Sequence, residues 1–113
     1  METELDGIRR RRQQLRSEFG PLYDRVSAVL FEEDPGEVNY VDNTDEYESE
    51  ADLIVPLLRD CSSAQDVQRV VHGVFLKMFS KETANPPSRF RRISERIWTE
   101  MSSLSVVRRP TGR

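Results

Sequence analysis

AQDVQRVVHGVFLKMF, residues 64–79, is the stretch on which the fold turns. Val67, Val70, Val71, Val74, Phe75 and Met78 recur at steps of three and four. At about 100° per residue they share one side, which is the period of a helix with one buried stripe. No other stretch of the chain is as strongly periodic. Ser62 with Gln65, or Ser63 with Asp66, offers an N-cap just ahead of it. His72, the only histidine, projects from the polar side of the same helix.

Moving outward, Asn85-Pro86-Pro87 breaks the pattern. A further helix is expected over about 87–103, with Phe90, Ile93, Ile97, Met101 and Leu104 in line and Trp98 at the edge. Core packing is the simpler expectation for Trp98; an exposed Trp98 would mark a homodimer face. In the other direction a helix is expected over about 44–60, with Tyr47, Ala51, Ile54, Leu57 and Leu58 on its apolar face. Asn43 reads as its N-cap, with Glu46 at capping-box spacing and Thr44, Asp45 and Glu46 in the first turn. Pro56 predicts a kink, because the carbonyl of Asp52 loses its donor. Asp34-Pro35-Gly36 reads as a turn, followed by an extended stretch at 37–41. Before it, helices over 3–18 and 21–32 flank Gly20-Pro21, since proline fits the first turn of a new helix. Leu5, Ile8, Leu15, Phe19, Leu22, Tyr23, Val26 and Leu30 face one side, interrupted by Arg12. The expected fold is all-α, an irregular bundle of four to five short helices with a short extended segment at 37–41. One domain covers 1–113: a peripheral helix over 1–18, a core over 21–103 and a loose tail over 104–113.

The 113 residues are 36% hydrophobic and 33% charged, on the polar side of globular. The net charge of −3 hides an uneven layout. Residues 32–60 hold eleven acids against one base, Arg59. Residues 1–31 carry five acids and six bases, and residues 61–113 four acids and ten bases. Such a layout suits selection of a charged partner. The single cysteine, Cys61, excludes an internal disulfide and fits a reducing compartment. No apolar run is long enough for a membrane span, and METELDGIRRRRQQLR has no apolar leader region, so a cytoplasmic protein is expected.

The densest chemical cluster is the carboxylates Asp34, Asp42, Asp45, Glu46 and Glu50. They could bind a divalent ion or act as acid and base. Their spacing is not that of a calcium loop, and no Glu-x-x-His is present for a di-iron site. Helix capping and a solvated acidic face account for most of them. Glu50 differs, because it projects at the flank of the apolar face and needs a donor or water. An arginine from a neighbouring helix is the simple partner; a functional cleft is the sharper one. His72 has no second zinc ligand at suitable spacing, Cys61 has no histidine near it in sequence, and no nucleotide-binding glycine pattern occurs. No metal, cofactor or catalytic residue is assigned. Arg9–Arg12 and the flank Arg89, Arg92 and Arg96 could neutralise phosphates, or could pair with the acidic centre.

Leu30, Asp34-Pro35-Gly36, Asp45-Glu46-Tyr47-Glu48, Glu50 and Ile54-Val55-Pro56 precede Ser63, Val67, Val70-Val71, Phe75 and Phe79. This order resembles a family of small, all-helical bacterial proteins of unknown function. There the pattern runs D-P-x-G, E-Y-x-x-E, S-x-x-x-V, then a helix ending F-x-x-x-F. The resemblance covers about 21–79. It implies an all-helical fold, brings no activity, and points to Asp34, Glu46, Tyr47 and Glu50. Glu37 stands where the family usually has an apolar residue.

Three functional readings follow. The first is a non-catalytic interaction module that binds another protein, basic in character, through the acidic face 32–50. Its candidate residues are Asp34, Asp42, Asp45, Glu46, Tyr47 and Glu50. The second is a metal-assisted or acid/base enzyme using Glu46, Glu50 and Asp34. The third, least favoured for so acidic a chain, is nucleic-acid binding through the arginine-rich helices.

Overall fold

The computed structural model describes residues 4–35, 47–79 and 81–104. Helix α1 spans Glu4–Phe19, α2 Pro21–Glu33, α3 Glu48–Leu57, α4 Ala64–Met78, α5 Lys81–Ala84 and α6 Arg91–Leu104. Two 3-10 turns, Leu58–Asp60 and Pro87–Phe90, lead out of α3 and into α6. Among the described residues there is no strand. The all-α bundle expected from the sequence is the architecture observed, and the extended segment expected at 37–41 lies outside the described residues.

Local chemistry sets the helix ends. Gly20 alone separates α1 from α2, at φ 62° and ψ −144°. A side chain would be strained in that backbone region, so glycine is required there. Pro21 then takes the first helical position, where its missing N–H costs nothing. α2 ends at Asp34, a left-handed residue at φ 48° and ψ 57°. Its N–H donates to the carbonyl of Leu30 at 2.8 Å, and Pro35 follows. α4 begins on Ser63, whose Oγ accepts from the Asp66 N–H at 3.1 Å. Asp66 reaches back, accepting from the N–H and hydroxyl of Ser62 at 2.9 and 3.0 Å. Of the two caps the sequence offers, the Ser63–Asp66 pair is therefore the one formed.

Helix α3 departs from expectation at both ends. It starts at Glu48, with the Ala51 N–H donating to Tyr47 O at 3.0 Å. Its first-turn acids are thus Glu48 and Glu50. The expected cap at Asn43 and first turn at Asp45 and Glu46 lie outside the described residues. Pro56 sits in the last α-helical turn, and the chain tightens into a 3-10 turn from Leu58. Where a kink was expected, the missing donor is met by a change of helix type at the end.

α2, α3, α4 and α6 form the core: α4 packs on α3 and α6, and α2 packs on the same two helices. Leu22, Tyr23, Val26, Leu30, Ile54, Val67, Val71, Phe75 and Ile97 are all 0% exposed. Phe75 is the hub of an aromatic cluster. Its ring centroid lies 5.0 Å from Phe79 and from Phe90, and 6.2 Å from Tyr47. α1 packs from outside on α2 and α3, with Leu15 and Phe19 buried near its end. Those two side chains anchor it by roughly 1.5–3 kcal/mol each.

Three expected core positions are corrected. Ile8, Leu57 and Met78 are exposed. Ile8 lies on α1 ahead of the part that packs, and Met78 is the last residue of α4. Leu57 ends α3 and lies 180° from Glu48 by helical period, away from the centre of the buried set Ala51, Ile54 and Leu58. Trp98 is partly buried and packs against the core, and Leu104, the first residue of the expected loose tail, closes α6 in the same way. Residues 105–113 lie outside the described residues.

Candidate functional site

The acidic stretch is knit into the protein by arginines and tyrosines from its neighbours. α2 and α3 run antiparallel, and a tyrosine-to-aspartate hydrogen bond joins them at two points. The Tyr23 hydroxyl of α2 donates to Asp52 Oδ1 of α3 at 2.6 Å. At the second point the Tyr47 hydroxyl donates to Asp34 Oδ1 at 2.5 Å. Both tyrosines are fully buried, so each phenol needs such an acceptor. Asp34 is also the left-handed cap of α2, a conformation aspartate tolerates better than most residues.

Asp52 uses its second oxygen on Arg12 of α1, whose Nε donates at 2.9 Å. The same guanidinium reaches Glu48 Oε1 at 3.2 Å and the Ser49 hydroxyl at 3.3 Å. Arg16, one turn on, donates to Asp24 Oδ1 at 3.0 Å and Glu48 Oε2 at 3.2 Å, and lies over the Tyr23 ring. Burial pushes the Tyr23 phenol up strongly, and its bond to Asp52 adds to the shift. Burial works against the Arg12 charge, but its bond to Asp52 and the facing acids outweigh this and hold the guanidinium protonated. The group, two guanidiniums against three carboxylates, is a clasp holding α1 to the α2–α3 pair.

A second set ties α2 to α6. Arg96 donates to Glu32 at 2.6 Å and Glu33 at 2.9 Å, and Arg92 to Glu33 at 2.9 Å. Arg25 meets Glu100 at 2.6 Å. Arg89, third on the expected phosphate flank, donates to the carbonyls of Glu82 and Asn85. Two of that flank, Arg92 and Arg96, thus pair with the acidic stretch from within the chain, and Arg89 does not.

Of the six candidate residues, Asp34, Tyr47 and Glu50 are described; Asp42, Asp45 and Glu46 lie outside the described residues. Asp34 and Tyr47 are brought together by their hydrogen bond. Glu50 is only 6% exposed, so its side chain is buried. Two hollows, of about 300 and 330 Å³, lie where α4 meets the start of α6 and share Gln65 and Gln68. None of the three described candidates lines them. Among the described residues no three His, Cys, Asp or Glu side chains converge as a metal set.

The remaining candidates have local partners. His72 Nε2 lies 2.9 Å from Asn85 Oδ1. Cys61 is buried, with its Sγ 3.7 Å from the carbonyl of Leu57. Burial, with Asp66 and Asp60 nearby, pushes its thiol up to about 11, which leaves it a poor nucleophile at neutral pH.

Arg12, Arg16, Tyr23 and Asp52 were missed as a group by sequence reasoning. One signal was available. Arg12 falls on the apolar side of α1, where a guanidinium needs a carboxylate facing it. What the sequence does not carry is which carboxylate, because 40 residues separate Arg12 from Asp52.

Comparison with protein families, curated proteins and solved structures brings no match. Among the described residues no helix is long and apolar enough to cross a membrane.

Proposed function

We propose that this protein is a non-catalytic, cytoplasmic protein-interaction module that engages a basic partner through the acidic stretch 32–50. The observation that carries this reading is the Tyr47–Asp34 hydrogen bond together with what it brackets. It ties the two ends of segment 36–46, which holds Glu37, Asp42, Asp45 and Glu46 and no base. Beside it, Glu32, Glu33 and Glu48 are bound by arginines of this chain. The selective charge is therefore assigned to Asp42, Asp45 and Glu46, with Asp34 and Tyr47 as the pins that hold the ends of the segment together. Ends tied in advance lower the ordering cost of binding.

The test is cross-linking from cell extract, identification of the captured protein, and reconstitution with that protein purified. The variant Asp42→Asn/Asp45→Asn/Glu46→Gln should bind it at least tenfold more weakly, with a shallower salt dependence. Equal affinity and equal salt dependence for parent and variant would end the proposal.

A further inference from the structure

We infer that α1 is an autoinhibitory cover: its Arg12 and Arg16 occupy Glu48 and Asp52, carboxylates that a basic partner takes when α1 swings aside at Gly20. The inference rests on the reading of the acidic stretch as the partner surface and deepens it, since Glu48 belongs to that stretch. Arg12 meets Asp52 Oδ2 at 2.9 Å and Glu48 Oε1 at 3.2 Å. Arg16 meets the other Glu48 oxygen, Oε2, at 3.2 Å. The Glu48 and Asp52 side chains are 19% and 15% exposed, so a basic segment finds both already filled. The two arginines also show what that segment must carry. Guanidiniums four residues apart on a helix lie one turn apart on one face, and here they take both oxygens of a single carboxylate. The occupant is a basic segment with arginines at that spacing, and α1 is its stand-in within the chain.

The attachment of α1 suits release. Its buried apolar side chains, Leu15 and Phe19, lie in its last two turns, and ahead of Leu15 no described residue of α1 is buried. Arg59 adds its hold at the same end, on Glu18 and over the Phe19 ring. Further out, α1 is held at Arg12, through Glu48, Ser49 and Asp52. A single glycine at φ 62° joins it to α2. Glycine admits backbone angles closed to other residues, so rotation there carries α1 as one body. α6 provides the contrast. Its Arg92 and Arg96 cover Glu33 and Glu32, but Ile93, Ile97 and Met101 are buried along its length. Glu32 and Glu33 stay covered as long as the core is intact, whereas Glu48 and Asp52 are uncovered by moving one peripheral helix. Affinity for the partner then scales with the fraction of molecules in which α1 is open.

The test is fluorescence anisotropy of the full chain with a labelled octa-arginine peptide at low salt, about 50 mM. Arg12→Gln/Arg16→Gln frees Glu48 and Asp52 and should bind about tenfold more tightly than the parent. It also removes two positive charges. The control Arg9→Gln/Arg11→Gln removes two from exposed positions and should bind within about twofold of the parent. Adding Glu48→Gln/Asp52→Asn to the first variant should cancel its gain, and asparagine keeps an acceptor for Tyr23. If circular dichroism shows that Arg12→Gln/Arg16→Gln does not fold, the parent decides. Saturating octa-arginine should then speed hydrogen exchange in α1 while α4 and α6 keep their protection. Equal affinity of the two double variants, no binding by either, or α1 amides as protected with the peptide as without it would overturn the inference. Asp42→Asn/Asp45→Asn/Glu46→Gln is titrated alongside. If it binds like the parent while Arg12→Gln/Arg16→Gln still gains, segment 36–46 falls as the binding surface and the cover over Glu48 and Asp52 stands.

Discussion

Tyr47 donates to Asp34 at 2.5 Å across the ends of α2 and α3, and further along the same pair the roles of the helices reverse. There Tyr23 of α2 donates to Asp52 of α3 at 2.6 Å. Each helix thus supplies one buried phenol and receives on one carboxylate, so the antiparallel register is fixed at two points. A slip of one turn would leave two buried hydroxyls without acceptors, which hydrophobic contacts alone would not penalise.

Tyr47→Phe tests the first point. It removes the hydroxyl and leaves Asp34, so the loss should be about 1–2 kcal/mol. In urea the midpoint should fall at unchanged slope. Asp34→Gly should lose less than Asp34→Ala, because glycine relieves the left-handed backbone while alanine keeps the strain. A double-mutant cycle with Tyr47→Phe and Asp34→Gly should give coupling near the size of the single Tyr47→Phe loss. Additive losses would show that the two groups do not share a bond in solution.

Arg12 should matter more than any other arginine of the basic run. The Arg12 and Asp52 side chains are 21% and 15% exposed, so removing the guanidinium strands carboxylates that are mostly out of water. Arg12→Gln should cost about 1–3 kcal/mol by chemical denaturation. Arg9→Gln, whose side chain is 71% exposed, should stay within about 0.5 kcal/mol. Equal effects at the two positions would mean that the clasp adds nothing beyond helix propensity.

The helices were legible where periodicity and caps agreed. Val67 to Phe75 sit behind the Ser63 cap, and Gly20-Pro21 separates two helices as proline chemistry requires. Boundaries were less legible where two signals competed. The acids before Tyr47 read as a first helical turn and lie outside the described residues, while α3 starts at Glu48. Pro56 allows either a kink or a helix end, and only packing decides between them. The site was legible in part. Tyr47, Asp34 and Glu50 were marked by residue type and position. That a tyrosine from α2 and an arginine from α1 would meet on Asp52 depends on how three helices cross, and a single sequence does not encode that crossing in any local pattern. The charge layout was plain in the sequence. Its consequence at α6 was open, because the same arginines could face Glu32 and Glu33 or a phosphate.

Cys61 gives a pH prediction with a definite sign. Its thiol is raised from 9.0 to about 11 in the folded protein, first by burial and then by Asp66 and Asp60. The folded state therefore binds the proton more tightly than the unfolded chain. That stability is fully present below pH 9 and is lost as pH rises towards 11. Urea midpoints should fall over this window, and Cys61→Ala should remove part of the fall. Tyr23, also raised, keeps its contribution to higher pH. Thiol reagents at pH 8 should label native Cys61 only as fast as the protein opens. Prompt labelling of the folded protein would contradict its burial.

Two glycines should respond to the same substitution with opposite signs. Gly73 lies inside α4, and a Cβ placed there would meet nothing within 4 Å. Gly73→Ala should therefore stabilise by about 0.5–1 kcal/mol, through helix propensity and a less flexible unfolded chain. At Gly20 a Cβ would also meet nothing within 4 Å, so space gives no reason for glycine. The reason is the backbone, at φ 62° and ψ −144°. Gly20→Ala should destabilise by about 1–3 kcal/mol. The loss should appear first in α1, because the strain is relieved by letting α1 swing off α2 and α3. Hydrogen exchange should then show α1 amides losing protection while those of α4 and α6 keep theirs. Uniform loss of protection across all helices would mean that α1 is an integral part of the core rather than an element clasped to it.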